Sequence, residues 1–132
     1  MLLPLLLAAL AILLAWTVFD VLMHRLLLRP LYEENANLWR PFDQLNVVQI
    51  YIATFALIAV FVLTYWLLIS PKSLAAGAGF GAMLGLALGV SSGLGTYIHM
   101  PIPRALAWGW FIGGWLKGIV AGAILGALIR QS

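Results

Sequence analysis

The sequence predicts an all-α fold: an integral membrane four-helix bundle with a short interfacial helix between spans 1 and 2. Three observations predict it. Of the 132 residues 64% are hydrophobic and 8% are charged, where a soluble domain carries about 25% charge. The mean hydropathy is +1.08, and the apolar residues gather into four runs, each long enough for the roughly 20 residues a bilayer crossing needs. Glycine falls every fourth residue at Gly77, Gly81, Gly85, Gly89 and Gly93, and again at Gly114, Gly118, Gly122 and Gly126. In lipid, small residues four apart let two helix backbones approach closely.

The whole chain, residues 1–132, reads as a single transmembrane domain. The first span covers about residues 2–28. Its opening run lacks the basic start and small-residue cleavage site of a signal peptide, so a retained span is expected. The second covers about 46–69, with Asp43 as a candidate N-terminal cap. SPKS (Ser70–Ser73) predicts a tight antiparallel hairpin into the third, about 74–97. HMPIPR (His99–Arg104) leads into the fourth, about 104–129, and its two prolines exclude helix. The one long connection, Arg29 to Asn46, has Pro30 to open a helix and Pro41 to mark its end. Leu31, Tyr32, Leu38 and Trp39 give it an apolar side. A short helix over 30–41 lying at the membrane surface is expected, with an irregular loop of interfacial aromatics as the alternative. Arg25, Arg29, Arg40 and Arg104 lie on the side of the 1–2 and 3–4 connections, against Lys72 and Arg130 on the other. That excess places those connections in the cytoplasm and both termini outside.

Spans 1 and 2 contain no glycine; all 13 glycines lie in the second half. The two ridges predict that spans 3 and 4 pack on each other. Four residues turn 400°, so successive glycines drift about 40° and five wrap about 160° around the helix. One straight partner does not cover such a ridge. Either the helices cross steeply or part of the ridge is left for self-association or a larger membrane complex.

Charges within spans are candidate functional groups. Asp20 lies about 12 Å from the end of span 1, and Lys117 about 20 Å from the same membrane side. Their side chains lean toward each other, and a lysine stem bridges a gap of about 7 Å. An Asp20–Lys117 ion pair is expected, with His24 above it and Thr17 one turn below. The alternative is Lys117 reaching headgroups alone and Asp20 bonded to Thr17 or His24. Ser91 and Ser92 complete the intramembrane polar cluster, and Tyr32, Glu33, Arg40, His99 and Arg104 form a candidate rim. The polar groups, Gln49 and Thr96 included, crowd the half near the 1–2 and 3–4 connections. The other half (2–15, 74–90 and 118–129) is apolar except for Thr64 in span 2. That pattern argues against a through-pore within one chain and leaves a pocket open to one side.

The sequence excludes several classes. There is no cysteine, hence no disulfide or thiol chemistry. No basic run suggests nucleic acid. No serine–histidine–acid set stands out, and Glu33 and Glu34, being adjacent, face different ways on a helix. His24, His99 and Asp20 are the one constellation that metal or haem ligation would use, and two histidines without a third strong ligand are a weak signal. No enzyme, metal or cofactor is therefore expected; the lipid bilayer is the expected partner. The expected role is a non-enzymatic packing or accessory subunit or a homo-oligomer, with small-molecule, lipid or ion binding or transport through the one-sided pocket as the alternative.

Four strings occur together: D-x-x-x-H at Asp20 and His24, LRPLYE (Leu28–Glu33), LWRP (Leu38–Pro41) and P-I-P-x-x-L-A-x-x-W (Pro101–Trp110). In combination the chain resembles a group of short, four-span bacterial membrane proteins. The resemblance covers most of the chain. It implies the bundle, a bacterial inner membrane and a shared role on the pocket side, and carries no activity with it. The glycine ridges and Lys117 lie outside that pattern.

Overall fold

The computed structural model describes residues 2–130, with the side chain of Phe42 left aside. It is an all-α bundle with four helices long and apolar enough to cross a membrane: span 1 (Leu2–Leu27), span 2 (Val47–Leu68), span 3 (Leu74–His99) and span 4 (Arg104–Leu128). Asn46 rather than Asp43 caps span 2, its Oδ1 accepting from Gln49 N at 3.1 Å. Asp43 lies three residues too early, inside a 3-10 turn (Phe42–Gln44). Ser73 Oγ caps span 3 by accepting from Ala76 N at 3.0 Å. Ser70–Pro71, in the hairpin between spans 2 and 3, is a cis peptide.

Spans 3 and 4 meet along their glycines, at backbone distance. A Cβ on Gly85 would stand 2.7 Å from the Trp115 carbonyl oxygen and 2.8 Å from Gly118 Cα. One on Gly77 would meet the backbone of Gly122 and Gly126, and one on Gly93 that of Ala107 and Phe111. All five ridge glycines of span 3 are buried. Span 4 therefore covers the whole ridge, and of the two alternatives the partly bare ridge is the one not seen. One reason lies in the last step. Val90–Gly95 is π-helical, and a π turn takes more than four residues. The step from Gly89 to Gly93 thus falls short of a full turn, where each α-helical step overruns it, and the drift is partly undone.

Span 2 lies across the apolar half. Phe61 meets Trp16 of span 1 edge-on, ring centroids 5.4 Å apart, and Phe80 of span 3 at 5.8 Å. Tyr65 Oη donates to the Ile129 carbonyl at 2.8 Å, satisfying one of the orphan carbonyls at the end of span 4. Ile58, Phe61, Val62 and Tyr65 are its buried side chains. Its first ten residues, 47–56, bury none. Span 2 thus bridges spans 1 and 3 in one half of the bundle and leaves them unbridged in the other.

The 1–2 connection differs from a single helix over 30–41. It is α-helical over Arg29–Glu34, breaks at Asn35, and continues as one 3-10 turn, Ala36–Leu38. Its apolar side packs on the protein: Leu31, Tyr32, Leu38 and Trp39 lie against a small core of Leu28, Ile102, Leu106 and Ala107. The prolines flanking Ile102 hold the 3–4 connection extended, which presents that side chain to cover Leu28 and Tyr32.

Candidate functional site

The site is built where spans 1 and 3 are left unbridged. Span 1 changes from α to π geometry immediately after Asp20, over Val21–Leu27, and span 3 does so over Val90–Gly95. π turns recur at functional positions in helices, and here both border the same cleft of about 290 Å³. Span 1 contributes Phe19, Asp20, Met23 and His24; span 3 contributes Ser92 and Thr96; span 4 closes the back with Trp110, Gly113, Gly114 and Lys117. No described residue of span 2 lines it.

Charge is matched within the cleft. Lys117 Nζ donates to both Asp20 oxygens, at 2.9 and 3.1 Å. The ammonium also sits 4.8 Å from the centre of the Trp16 ring, while Trp16 Nε1 donates to the Lys117 carbonyl at 2.9 Å. One tryptophan thus fixes both ends of the lysine. The lysine and aspartate side chains keep 23% and 38% of their surface exposed, so the pair faces the cleft rather than being sealed. His24 Nε2 lies 3.9 Å from Asp20 Oδ1.

The chain of contacts continues upward. His24 Nδ1 is 2.6 Å from Tyr32 Oη, and Trp110 Nε1 donates to the same oxygen at 2.7 Å. An indole N–H only donates, so the phenol oxygen accepts from Trp110. Assigning the phenol's own proton to His24 Nδ1 leaves neutral His24 with its proton on Nε2, facing Asp20; that tautomer is an assignment from the network. The result is one polar chain, Trp110–Tyr32–His24–Asp20–Lys117, running from the folded-back connection through span 1 to span 4. Trp39 stacks edge-on against Tyr32 at 5.5 Å and against Trp110 at 5.7 Å.

Tyr32 lies outside the spans, and burial pushes its phenol above the usual value of 10.0, with the Trp110 hydrogen bond working in the opposite direction. Because the folded value is raised, the stabilisation from neutral Tyr32 is complete below pH 10 and is lost as pH rises through the folded value. Tyr32→Phe removes the oxygen between His24 and Trp110. It is expected to cost about 1 kcal/mol, since two part-buried polar groups lose their partner. Thermal unfolding in mild detergent reads this loss, and the alkaline falloff of stability should shrink in the variant. Equal stability of the two proteins would mean that the oxygen is not needed.

The structure does not gather all the expected residues. Thr17 Oγ1 donates to its own helix, at Leu13 O, 2.7 Å away, instead of meeting Asp20. Ser91 is exposed and off the cleft, one residue from Ser92. His99 bonds the Gly95 carbonyl at 2.9 Å and does not join His24 and Asp20; among the described residues no three metal-ligating side chains converge. Arg104 approaches Tyr97 Oη at 3.4 Å. Glu33 pairs with Arg29 at 2.8 Å on the exposed side of the connecting helix. Arg40 makes no ion pair among the described residues. These rim positions fail because sharing a membrane side is a far weaker condition than sharing a face. Trp16, Trp110 and Gly113 are the contributors that sequence reasoning passed over. Trp110 carries a readable signal: it lies seven residues before Lys117, two turns away on the same face. No family model matches the chain, and no curated protein or solved structure does so either.

Proposed function

We propose that this chain is a non-enzymatic integral membrane protein that binds a small polar or charged group in the cleft between spans 1, 3 and 4. The observation that supports this reading is the Asp20–Lys117 pair. Placing two charges within the span is costly, and a purely structural pair repays its lost solvation only when its remaining polar atoms are hydrogen-bonded within the protein. This pair instead faces a cleft with Ser92 and Thr96 lining its other side. The cleft occupies only the polar half, and the core beyond it is filled by Ile12, Trp16, Phe61 and Leu125. Binding from one side fits that arrangement better than conduction across the chain. The bacterial inner membrane is the proposed location, on the resemblance of the four sequence strings.

Gentle extraction followed by mass measurement of the intact particle tests the proposal. The expected result is a single chain carrying a bound small molecule, which Gly113→Leu displaces by filling the cleft from span 4. A bare chain in both proteins would overturn the binding reading. A ring of copies or a larger assembly with no bound molecule would favour the accessory or oligomer role instead.

A further inference from the structure

A second cavity adjoins the cleft. It is an apolar groove of about 480 Å³ on the outer face of spans 1 and 4. Leu14, Ala15, Val18 and Leu22 line it from span 1 and Val120 from span 4. Lys117 and Phe19 belong to both cavities. Leu14 and Val120 lie deeper in the apolar half than Asp20 and Lys117, by about 9 Å and 4.5 Å along their helices. The groove therefore runs from the charged pair deeper into the apolar half of the bundle.

We infer that the ligand of the cleft is a phospholipid whose headgroup carries both a phosphate and an ammonium group, with an acyl chain in the groove beside Lys117. This inference rests on the binding role proposed above and names its ligand class. Size and polarity sort the two cavities. Drug-sized ligands occupy pockets of about 300–1,000 Å³, so the cleft alone suits a headgroup. The groove offers apolar surface to a chain; in lipid such surface holds a chain by shape and close packing rather than by transfer from water. Any outward groove in a membrane touches lipid; this one has a cation at its polar end.

Charge decides the headgroup. Lys117 and Asp20 already neutralise each other at 2.9 Å. A purely anionic headgroup would compete for Lys117 and leave Asp20 without its counter-ion, the arrangement that costs most at low dielectric. A headgroup bearing both signs sets its phosphate on Lys117 and its ammonium on Asp20. Four charges then alternate in sign, and neither protein group is abandoned. The hydroxyls of Ser92 and Thr96 face the same space and supply donors for the phosphate oxygens.

The test titrates the full chain, delipidated in mild detergent, with four probes: phosphatidylethanolamine, phosphatidylglycerol, water-soluble glycerophosphoethanolamine and inorganic phosphate. Bound fraction is read by mass measurement of the intact particle. The expected result is phosphatidylethanolamine binding at least about tenfold more tightly than any other probe. Val18→Trp, which fills the groove from an outward-facing position, should weaken it about tenfold and leave glycerophosphoethanolamine unaffected. Asp20→Asn should remove the preference over phosphatidylglycerol; if that variant does not fold, Thr96→Val should weaken phosphatidylethanolamine binding. Equal binding of glycerophosphoethanolamine and the intact lipid, with Val18→Trp silent, would overturn the lipid inference while leaving the cleft as a binding site. Equal binding of the two lipids would overturn the assignment of the headgroup. If no probe binds while a different molecule co-purifies, the lipid inference fails and the binding role stands.

Discussion

Gly81→Leu should drive spans 3 and 4 apart and produce the largest loss of stability of any single substitution considered. A Cβ at Gly81 would meet the Gly118 carbonyl oxygen and stand 2.8 Å from Gly122 Cα and 2.9 Å from its nitrogen. These are backbone atoms and cannot rotate aside. Overpacking a well-filled core costs about 1–3 kcal/mol when side chains can adjust; with backbone on the other side, about 3 kcal/mol or more is expected. Gly79 provides the internal control. It lies two residues away on the same helix, and a Cβ there meets nothing within 4 Å. Gly79→Ala should be neutral or stabilising by up to about 1 kcal/mol through helix propensity. Thermal or denaturant unfolding in mild detergent measures both. Similar losses at the two positions would mean that helix propensity, not interhelical contact, sets the effect.

The second large effect concerns the charged pair. Asp20→Asn or Lys117→Met alone leaves one charge inside the span with its counter-ion removed. Breaking a fully buried pair in this way costs about 3–5 kcal/mol. The partial exposure of both side chains to the cleft lowers the expectation to about 1–3 kcal/mol, since solvent screening weakens such pairs. The double variant Asp20→Asn/Lys117→Met should recover most of the loss, and the charge swap Asp20→Lys/Lys117→Asp should recover part of it. The first double completes a cycle with the two single variants, and its coupling energy isolates the pair. Additive losses in the cycle would show that the two residues act independently, with Lys117 held by Trp16 and Asp20 by His24.

The two halves of the chain were unequally legible. In spans 3 and 4 the four-residue glycine period names a helix face outright, because a backbone that close to another tolerates no larger residue. Depth along a helix was legible too: 1.5 Å per residue puts Asp20 and Lys117 about 8 Å apart in depth, a gap that side-chain lean and a lysine stem close. Spans 1 and 2 offered no such signal. Leucine, isoleucine and valine surround them on all sides, and a helix apolar all round does not mark the face it buries. Nothing in Val47–Ala56 distinguishes a segment that packs from one that stands clear of the bundle. Yet that segment leaves the cleft open.

Four membrane-spanning helices, the contact between spans 3 and 4, and the confinement of polar groups to one end follow from composition and spacing, because each is a property of single helices or of matching periods. The site required the tertiary structure. Tyr32 reaches His24 and Trp110 only because residues 29–39 fold back onto span 4. The full glycine ridge is covered partly because span 3 turns π-helical after Gly89. Lys117 serves both a polar cleft and an apolar groove because span 1 meets span 4 on one side and span 2 stops short of the other. In lipid, apolar burial does not choose between neighbours, so which apolar helix stands beside which is settled by shape in three dimensions and leaves little trace in the residue pattern.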